Sequence, residues 1–142
     1  MASVAQLLGR KPRDIRAVGP DAPVLEAIRL MAEYGIGALL VMQGDALVGI
    51  VSERDYARKV ILKGRSSAET PVRAIMSAPV ITVEPALSAQ ACMQIMTDKR
   101  VRHLPVVEAG RVVGMLSIGD LVRAVLAEQA QTIEQLEHYI HN

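Results

Sequence analysis

The sequence has few aromatic residues and a single cysteine. It contains no Phe and no Trp, and Tyr34, Tyr56 and Tyr139 are its only tyrosines. Proteins that bind single-stranded nucleic acid usually stack bases on aromatic side chains, so this scarcity argues against a nucleic-acid partner. Because Cys92 is the only cysteine, no intrachain disulfide can form. Its apolar neighbours predict a buried, unreactive thiol.

Strong charge and long hydrophobic runs are also absent. The formal net charge is +1, from 16 basic and 15 acidic residues, so no overall field would attract nucleic acid or an anionic membrane. No apolar run approaches the roughly 20 residues of a membrane helix, and no signal-peptide pattern opens the chain. We therefore expect a cytoplasmic protein with no membrane partner, whose core is built from aliphatic residues.

The sequence contains an internal repeat. The segment VGIVSERD at 48–55 corresponds to VGMLSIGD at 113–120, and Gly49 and Gly114 are 65 positions apart. The same shift continues without a gap from the pair Val18 and Val83 to the pair Arg58 and Arg123. A gapless match of this length indicates duplication of one structural unit.

Each copy predicts a short extended piece, a helix, two strands and a second helix. Apolar runs on both sides of a Gly-containing turn predict a hairpin. In the first copy the extended piece spans 16–20 and the strands span 38–42 and 46–51; in the second copy the corresponding ranges are 80–85, 103–107 and 112–117.

Apolar spacing and capping residues predict the helices. We expect Asp21 or Ser88 to cap the first helices, and Ser52 and Ser117 to begin the second helices. The spacing also gives each first helix one apolar face. The predicted faces are Leu25, Ile28, Met31 and Ala32 in the first copy, and Gln90, Met93, Met96 and Thr97 in the second.

These residues resemble a known family. The tandem βαββα unit closing on G-h-h-S-x-x-D is similar to a pair of CBS domains, and the segments that carry the likeness are ALLVMQGDALVGIVSERDY, VRAIMSAPVITVEP and HLPVVEAGRVVGMLSIGDL. The resemblance implies an α+β fold in which two repeats, 10–66 and 67–126, pack with pseudo-twofold symmetry into a disc-like module. Residues 127–142 would form a helical tail.

The resemblance also implies a ligand and a partner. CBS pairs typically bind AMP, ADP, ATP, NAD-type dinucleotides or S-adenosyl compounds in clefts between the repeats, and many form dimers. We expect a homodimer, since Ile133, Leu136 and Ile140 would lie on one side of the tail helix and need cover. We also expect a downstream protein that receives the signal.

Asp55 and Asp120 are the first candidates for the ligand site. Each follows a strand at the start of a helix, where a carboxylate could accept hydrogen bonds from both ribose hydroxyls. Ser52 and Ser117, three residues earlier, could donate to a phosphate or ribose oxygen. The competing interpretation is that the acids stabilise the helix N-termini and the serines cap them.

Basic residues near these positions would contact the phosphates. In the family, the position of Arg102 and His103 faces the phosphates, whereas the matching Gly37 and Ala38 offer only backbone. The cleft that pairs Asp55 with Arg102 and His103 should therefore prefer a more highly phosphorylated ligand. A solvated basic turn is the alternative.

Weaker candidates complete the predicted site. Arg54 could reach a phosphate near Asp55, with Arg58, Lys59 and Lys63 adding charge; Arg16 could serve the Asp120 cleft, with Lys11 and Arg13 close in sequence. Adenine should be read by backbone groups of Val80, Ile81 and Val101 in one cleft and of Ile36, Gly37 and Ala38 in the other. Met115 and Ile50 would pack on the base.

Catalytic patterns are missing from the sequence. The three histidines show no metal-ligand spacing, and neither candidate serine has a histidine partner in the pattern. We therefore expect a regulatory adenine-nucleotide sensor without a metal or catalytic cofactor. The alternatives are a ligand-independent scaffold that uses the CBS pair for oligomerisation, and an enzyme whose site the sequence does not reveal.

Overall fold

The computed structural model describes residues 2–11 and 15–141, which divide into two compact units. Residues 14–81 form the first-repeat unit. The second-repeat unit combines residues 1–13 with 82–142. The elements follow the order α1 (Val4–Leu8), β1 (Ala17–Val18), α2 (Val24–Tyr34), β2 (Ala38–Gln43), β3 (Ala46–Ser52), α3 (Glu53–Tyr56), a π-helical turn (Ala57–Ile61), a 3-10 turn (Val72–Ala74), α4 (Ala89–Lys99), β4 (His103–Glu108), β5 (Arg111–Ser117) and α5 (Ile118–His141). This α+β arrangement confirms the predicted fold class.

The first-repeat unit contains a sheet of three strands in the order β1-β2-β3. Strand β1 runs parallel to β2, with Val18 opposite Val41, and β2 pairs antiparallel with β3. The hairpin turns at Gly44, whose φ of +62° lies in the left-handed region that glycine adopts without a steric cost. A bulge between Val41 and Met42 shifts the register once.

The second-repeat unit reproduces this pairing at the shift of 65 residues. Strands β4 and β5 form the antiparallel hairpin, and its bulge lies between Val106 and Val107. The counterpart of β1 is reduced to one parallel bridge between Val83 and Val106. The repeat seen in the sequence is therefore a repeat of strand register, down to the position of the bulge.

The helix faces differ from the predicted ones. In α2 the buried side chains are Val24, Ala27 and Met31, whereas Ala32 is exposed. Met31 is buried and Ile28 packs against the core, as predicted, but the centre of the buried face lies about one position earlier. Apolar residues cover a wide arc of this helix, so their spacing alone does not fix that centre.

The same correction applies to α4. Its buried residues are Ala89, Cys92 and Met96, which match the buried face of α2 at the shift of 65. Gln90 and Thr97, predicted to lie on the apolar face, are exposed. Ser88 caps this helix by accepting a hydrogen bond from the Ala91 amide at 3.1 Å, as predicted.

Asp21 does not cap α2. The N-cap position of that helix is Pro23, which makes no side-chain hydrogen bond there, and the Asp21 carboxylate pairs with Arg73 instead. The proline displaces the helix start by two residues from the position that the sequence pattern suggested.

Each unit contains the segment that precedes the other repeat. Helix α1 comes before the first repeat, yet it belongs to the second-repeat unit, where Leu8 lies against Gly114. The 3-10 turn precedes the second repeat and belongs to the first-repeat unit, where Met76 lies against Gly49. Neither sequence repeat therefore supplies the whole of its own unit.

This exchange separates the repeat boundaries from the unit boundaries. The predicted domains divide the chain at 66/67, whereas residues 67–81 lie with the first-repeat unit. The reason is packing, since Val72 and Ile75 are part of that unit's buried core. The boundaries of 10–66 and 67–126 remain a description of the sequence repeat.

Helix α5 continues without a break from the second repeat into the predicted tail. It has 24 residues, or about 36 Å at 1.5 Å per residue. Leu121 and Ala124 are buried, whereas the residues from 129 to 140 are exposed. In the part of the chain that the structure describes, no helix is long and apolar enough to cross a bilayer.

Candidate functional site

Each hairpin ends in a reciprocal hydrogen-bonded pair between a serine and an aspartate. In the first-repeat unit, Oγ of Ser52 accepts from the Asp55 amide at 3.1 Å, and Oδ2 of Asp55 accepts from the Ser52 amide at 3.0 Å. Ser117 and Asp120 repeat this arrangement at 3.2 and 2.8 Å. These capping boxes satisfy amides that the first helical turn leaves without partners. The capping role considered for both residue types is thus present.

The second carboxylate oxygen of Asp55 faces a lysine. Oδ1 of Asp55 lies 3.1 Å from Nζ of Lys59, one helical turn later, and the aspartate side chain is only 14% exposed. Lys59 also donates to the carbonyl oxygen of Ile75 at 2.9 Å. Lys59, Lys63, Arg65 and Ala74 line a cavity of about 360 Å³. A basic cavity therefore begins at a residue that contacts Asp55.

Asp120 has two cationic partners. Oδ2 accepts from Nζ of Lys11 at 2.8 Å, and Oδ1 accepts from the Arg123 guanidinium at 2.7 Å. Lys11 also donates to the carbonyl oxygen of Met115 at 2.8 Å. A lysine near the N-terminus of the chain thus contacts the aspartate of the second repeat.

The pKa of Asp120 reflects these contacts. Burial would raise the pKa of this carboxyl group, but hydrogen bonds from Lys11 and Ser117 and the charge of Lys11 outweigh that effect. The pKa is therefore lowered below the usual 3.8, and Asp120 is a carboxylate at neutral pH. An ionised carboxylate accepts hydrogen bonds from hydroxyl groups more strongly than a neutral acceptor does.

His103 belongs to the same group of residues. It begins β4 opposite Ser117, and it is half-buried. Burial lowers the pKa of His103; Asp120 acts in the opposite direction, while Lys11 and Arg102 add to the lowering. His103 is thus mainly neutral at pH 7 and can donate one hydrogen bond and accept another.

Other predicted phosphate ligands occupy less definite positions. The Arg102 and Arg54 side chains are exposed. The Arg16 guanidinium lies 3.7 Å from the centre of the Tyr34 ring in a cation–π contact. Arg13 is outside the described residues. The structure therefore places Arg102 and His103 in the unit of Asp120, and their pairing with Asp55 remains a prediction.

Backbone groups predicted to read adenine are partly engaged. The amides of Ile36 and Val101 donate to the carbonyls of Met31 and Met96, where α2 and α4 end. Any contact of these two residues with a base would therefore use their carbonyl oxygens. The Gly37 carbonyl accepts from the Glu53 amide at 3.0 Å.

The other residues predicted to contact a base differ in exposure. Ala38 is fully buried at the start of β2, so only its backbone can take part. Val80, Ile81 and Met115 are half-buried, as is Ile50. Their roles toward a base remain predictions.

The sequence did not predict the contact of Arg123 with Asp120. It suggested Lys59 and Lys11 as nearby charges but not their contacts with the two aspartates. Arg123 was not a candidate, although a cation three positions after Asp120 on a helix is within reach of it. Lys59 and Lys11 were considered only as nearby charge. The Lys59 contact follows from i,i+4 spacing, whereas the Lys11 contact depends on packing of the N-terminal segment.

Metal and thiol chemistry find no support in the described part of the chain. No group of three or more His, Cys, Asp or Glu side chains there could hold a metal ion. Cys92 is fully buried, as predicted, and burial raises the pKa of its thiol.

Comparisons with known proteins decide the family. The CBS domain family matches residues 11–62 and 72–127, which together make up most of the chain. The chain belongs to the CBS-domain family. It contains a tandem CBS pair, as the sequence resemblance predicted.

Relatives and solved structures agree with this assignment. The mitochondrial CBS domain-containing protein CBSX3 of Arabidopsis thaliana is 44% identical over 125 residues, which is 84% of this chain and 61% of CBSX3. The chain thus spans about six-tenths of that relative. A CBS-domain protein from Burkholderia ambifaria is 54% identical, with a TM-score of 0.88 over 90% of this chain and 96% of that one.

A more distant CBS pair was solved with ligands. The CBS domain pair of protein MJ0100, in complex with methylthioadenosine and S-adenosyl-L-methionine, has a TM-score of 0.80 over 90% of this chain and 98% of that one. At 21% identity, this likeness shows a shared fold. At least one CBS pair of this fold therefore binds adenosyl compounds.

Proposed function

We propose that the chain is a regulatory module that binds an adenine-containing nucleotide through Asp55 and Asp120 and catalyses no reaction of its own. The observation that carries the proposal is the repeated serine–aspartate pair. In both copies one carboxylate oxygen serves the capping box, and the other contacts a cation on a long side chain. Such cations can turn to a phosphate when ribose hydroxyls take their place.

The charge near Asp55 favours an anionic ligand. Lys59, Lys63 and Arg65 converge on one cavity within the first-repeat unit. Lys59 links that cavity to the carboxylate at 3.1 Å. This supports AMP, ADP, ATP or an NAD-type compound at Asp55, with the phosphates directed toward the basic cavity.

The adenosyl ligands of the MJ0100 CBS pair support the base and sugar part of the proposal. These ligands carry no phosphate, so they do not bear on the proposed preference of the Asp55 site for an anionic ligand. We propose action through ligand-dependent conformation of a homodimer, with a downstream protein as receiver. The cytoplasm remains our prediction for its location, although the relative CBSX3 is named as mitochondrial.

A ligand-independent scaffold is the second candidate, and the exposed apolar residues of α5 favour it. Leu126, Ile133, Leu136 and Ile140 are each more than half exposed. Such a surface suits an interaction protein whether or not the clefts bind anything.

Thermal melting with AMP, ADP, ATP, NAD and S-adenosylmethionine separates the two candidates. A ligand present at 100 times its dissociation constant stabilises the folded state by about 2.7 kcal/mol. We expect at least one compound to raise Tm, and Asp55→Asn with Asp120→Asn to reduce that shift. Asparagine keeps an oxygen that can accept from the serine amide, whereas alanine would remove that half of the capping box.

Asp21→Asn is the matched control, since Asp21 is an exposed acid paired with Arg73 outside the candidate site. It should leave the ligand-dependent shift unchanged. No shift with any compound at millimolar concentration would support the scaffold and reject the sensor.

A further inference from the structure

Helix α5 carries one apolar seam along its exposed side. The seam residues recur every three or four positions, which is the a and d spacing of a coiled coil. They are Val122, Leu126, Gln129, Ile133, Leu136 and Ile140, and the five apolar members are 44% to 74% exposed. The other side of the helix, at Leu121 and Ala124, is buried in the second-repeat unit.

The outer half of α5 needs a partner. Residues 129 to 140 are all exposed. A helix of about 12 residues is marginal in water without packing. Most positions outside the seam in this half are polar, although Ala130 and the exposed Tyr139 also lie there. The polar residues include Gln131, Glu134, Gln135 and His138. The seam therefore fits one helical partner that is apolar in the same positions.

We propose that a second copy of this chain covers the seam, with the two α5 helices antiparallel. In this register Leu126 packs beside the partner's Leu136, and Ile140 packs beside the partner's Val122. Ile133 packs beside the partner's Gln129. The proposal gives a surface and an orientation to the dimer suggested under the proposed function, and it does not depend on any nucleotide.

Charge complementarity selects the antiparallel orientation. Flanking positions of like heptad type face each other in antiparallel pairs, so Arg123 meets the partner's Glu137 and Glu137 meets the partner's Arg123. In a parallel pair the flanking contacts would join Thr132 to Glu137 and Val125 to Ala130 across the seam, and no opposite charges would meet. The antiparallel dimer thus contains two ion pairs that the parallel dimer lacks.

Arg123 connects this seam to the candidate site. One of its guanidinium nitrogens already donates to Oδ1 of Asp120 at 2.7 Å, and its side chain is 73% exposed. A guanidinium has five donors, so it can bind Asp120 and the partner's Glu137 together. Occupation of Asp120 by a ligand would then be felt at the dimer contact.

Sedimentation of the full-length, ligand-free chain tests the surface. We expect a dimer, and Leu136→Asp should raise the dimer dissociation constant at least tenfold. Gln131→Asp, on the outer side of the same helix, is the control and should remain dimeric. Circular dichroism establishes that each variant is folded. A monomer at tens of micromolar, or a dimer that survives Leu136→Asp, would overturn the proposal.

Cysteine cross-linking tests the orientation, since the native Cys92 is buried and leaves a clean background. Leu126→Cys copies mixed with size-tagged Leu136→Cys copies should form a mixed disulfide dimer, whereas each variant alone should form almost none. The opposite pattern indicates parallel helices and refutes this register.

Charge reversal gives an independent check of the register. Arg123→Glu and Glu137→Arg should each weaken the dimer, and the double variant should recover it. A local effect of Arg123→Glu at Asp120 would not be repaired by Glu137→Arg. Failure of the double variant to recover would therefore reject the Arg123–Glu137 contact, whatever the nucleotide experiments show.

Discussion

Nζ of Lys11 lies 2.8 Å from Oδ2 of Asp120, although 109 positions separate the two residues in the sequence. This ion pair joins the N-terminal segment of the chain to the start of α5. It also places a cation on the carboxylate that we propose as a ribose ligand. The N-terminal segment is therefore part of the second-repeat unit and part of its candidate site.

Replacement of Lys11 by methionine should lower the free energy of unfolding. The lysine side chain is 32% exposed and the aspartate side chain 12%, so the pair is partly screened by solvent. A charged hydrogen bond of this kind contributes on the order of 1 kcal/mol. Urea denaturation measures the change. Lys63→Met, at an exposed lysine, serves as the control, and equal losses in both variants would contradict a structural role for the ion pair.

His103 should make stability depend on pH. Burial lowers its pKa below the usual 6.5, so the unfolded chain takes up a proton at a higher pH than the folded one. Stability is then fully present above about pH 6.5 and declines as the pH falls through the lower pKa of the folded state.

Urea denaturation at pH 7.5 and 5.5 measures this decline. We expect His103→Gln to lose less stability than the parent chain between these values. If His103→Gln loses as much stability as the parent chain between these two pH values, burial of His103 does not control the decline.

Arg100 should be replaceable by glycine with a gain in stability. Arg100 ends α4 with φ of +56°, a left-handed conformation in which a side chain costs about 1 kcal/mol. Its counterpart at the end of α2 is Gly35, with φ of +64°. Arg100→Gly should raise the free energy of unfolding by about 1 kcal/mol, and Gly35→Arg should lower it by a similar amount. A loss of stability in Arg100→Gly would mean that its side chain makes contacts that outweigh the strain.

Gly49 should tolerate alanine poorly. A Cβ atom there would lie 2.5 Å from Sδ and 2.9 Å from Cγ of Met76. Overpacking of this kind costs about 1–3 kcal/mol. Met76→Ala creates the missing space, so the double variant should be more stable than the sum of the two single losses predicts. Strict additivity in chemical denaturation would show that Met76 does not pack against Gly49 in solution.

The hairpins and capping boxes were predictable from the sequence because their causes are local. Apolar runs on both sides of glycine-containing turns predict β2 to β5, and Ser-x-x-Asp after a strand predicts the helix starts. Because the unit is duplicated, each of these sequence patterns occurs twice. The identical residues at Gly49 and Gly114, and at Asp55 and Asp120, are sufficient to identify the repeat from the sequence.

Features that depend on long-range packing could not be predicted in the same way. The buried faces of α2 and α4 are set by where Pro23 and Ser88 begin those helices against the sheet. The exchange of segments that brings Leu8 to Gly114 leaves no periodic signal. Lys11 contacts Asp120 only because α1 packs in the second-repeat unit. The sequence pattern therefore could not predict this contact of Lys11.

Isothermal titration of the full chain with ATP and AMP tests nucleotide binding most directly. We predict saturable binding of at least one of them and its loss in the double variant Asp55→Asn with Asp120→Asn, while Asp21→Asn binds as the parent does. A double variant that binds with unchanged affinity and stoichiometry would contradict the central claim that these two carboxylates hold the ligand.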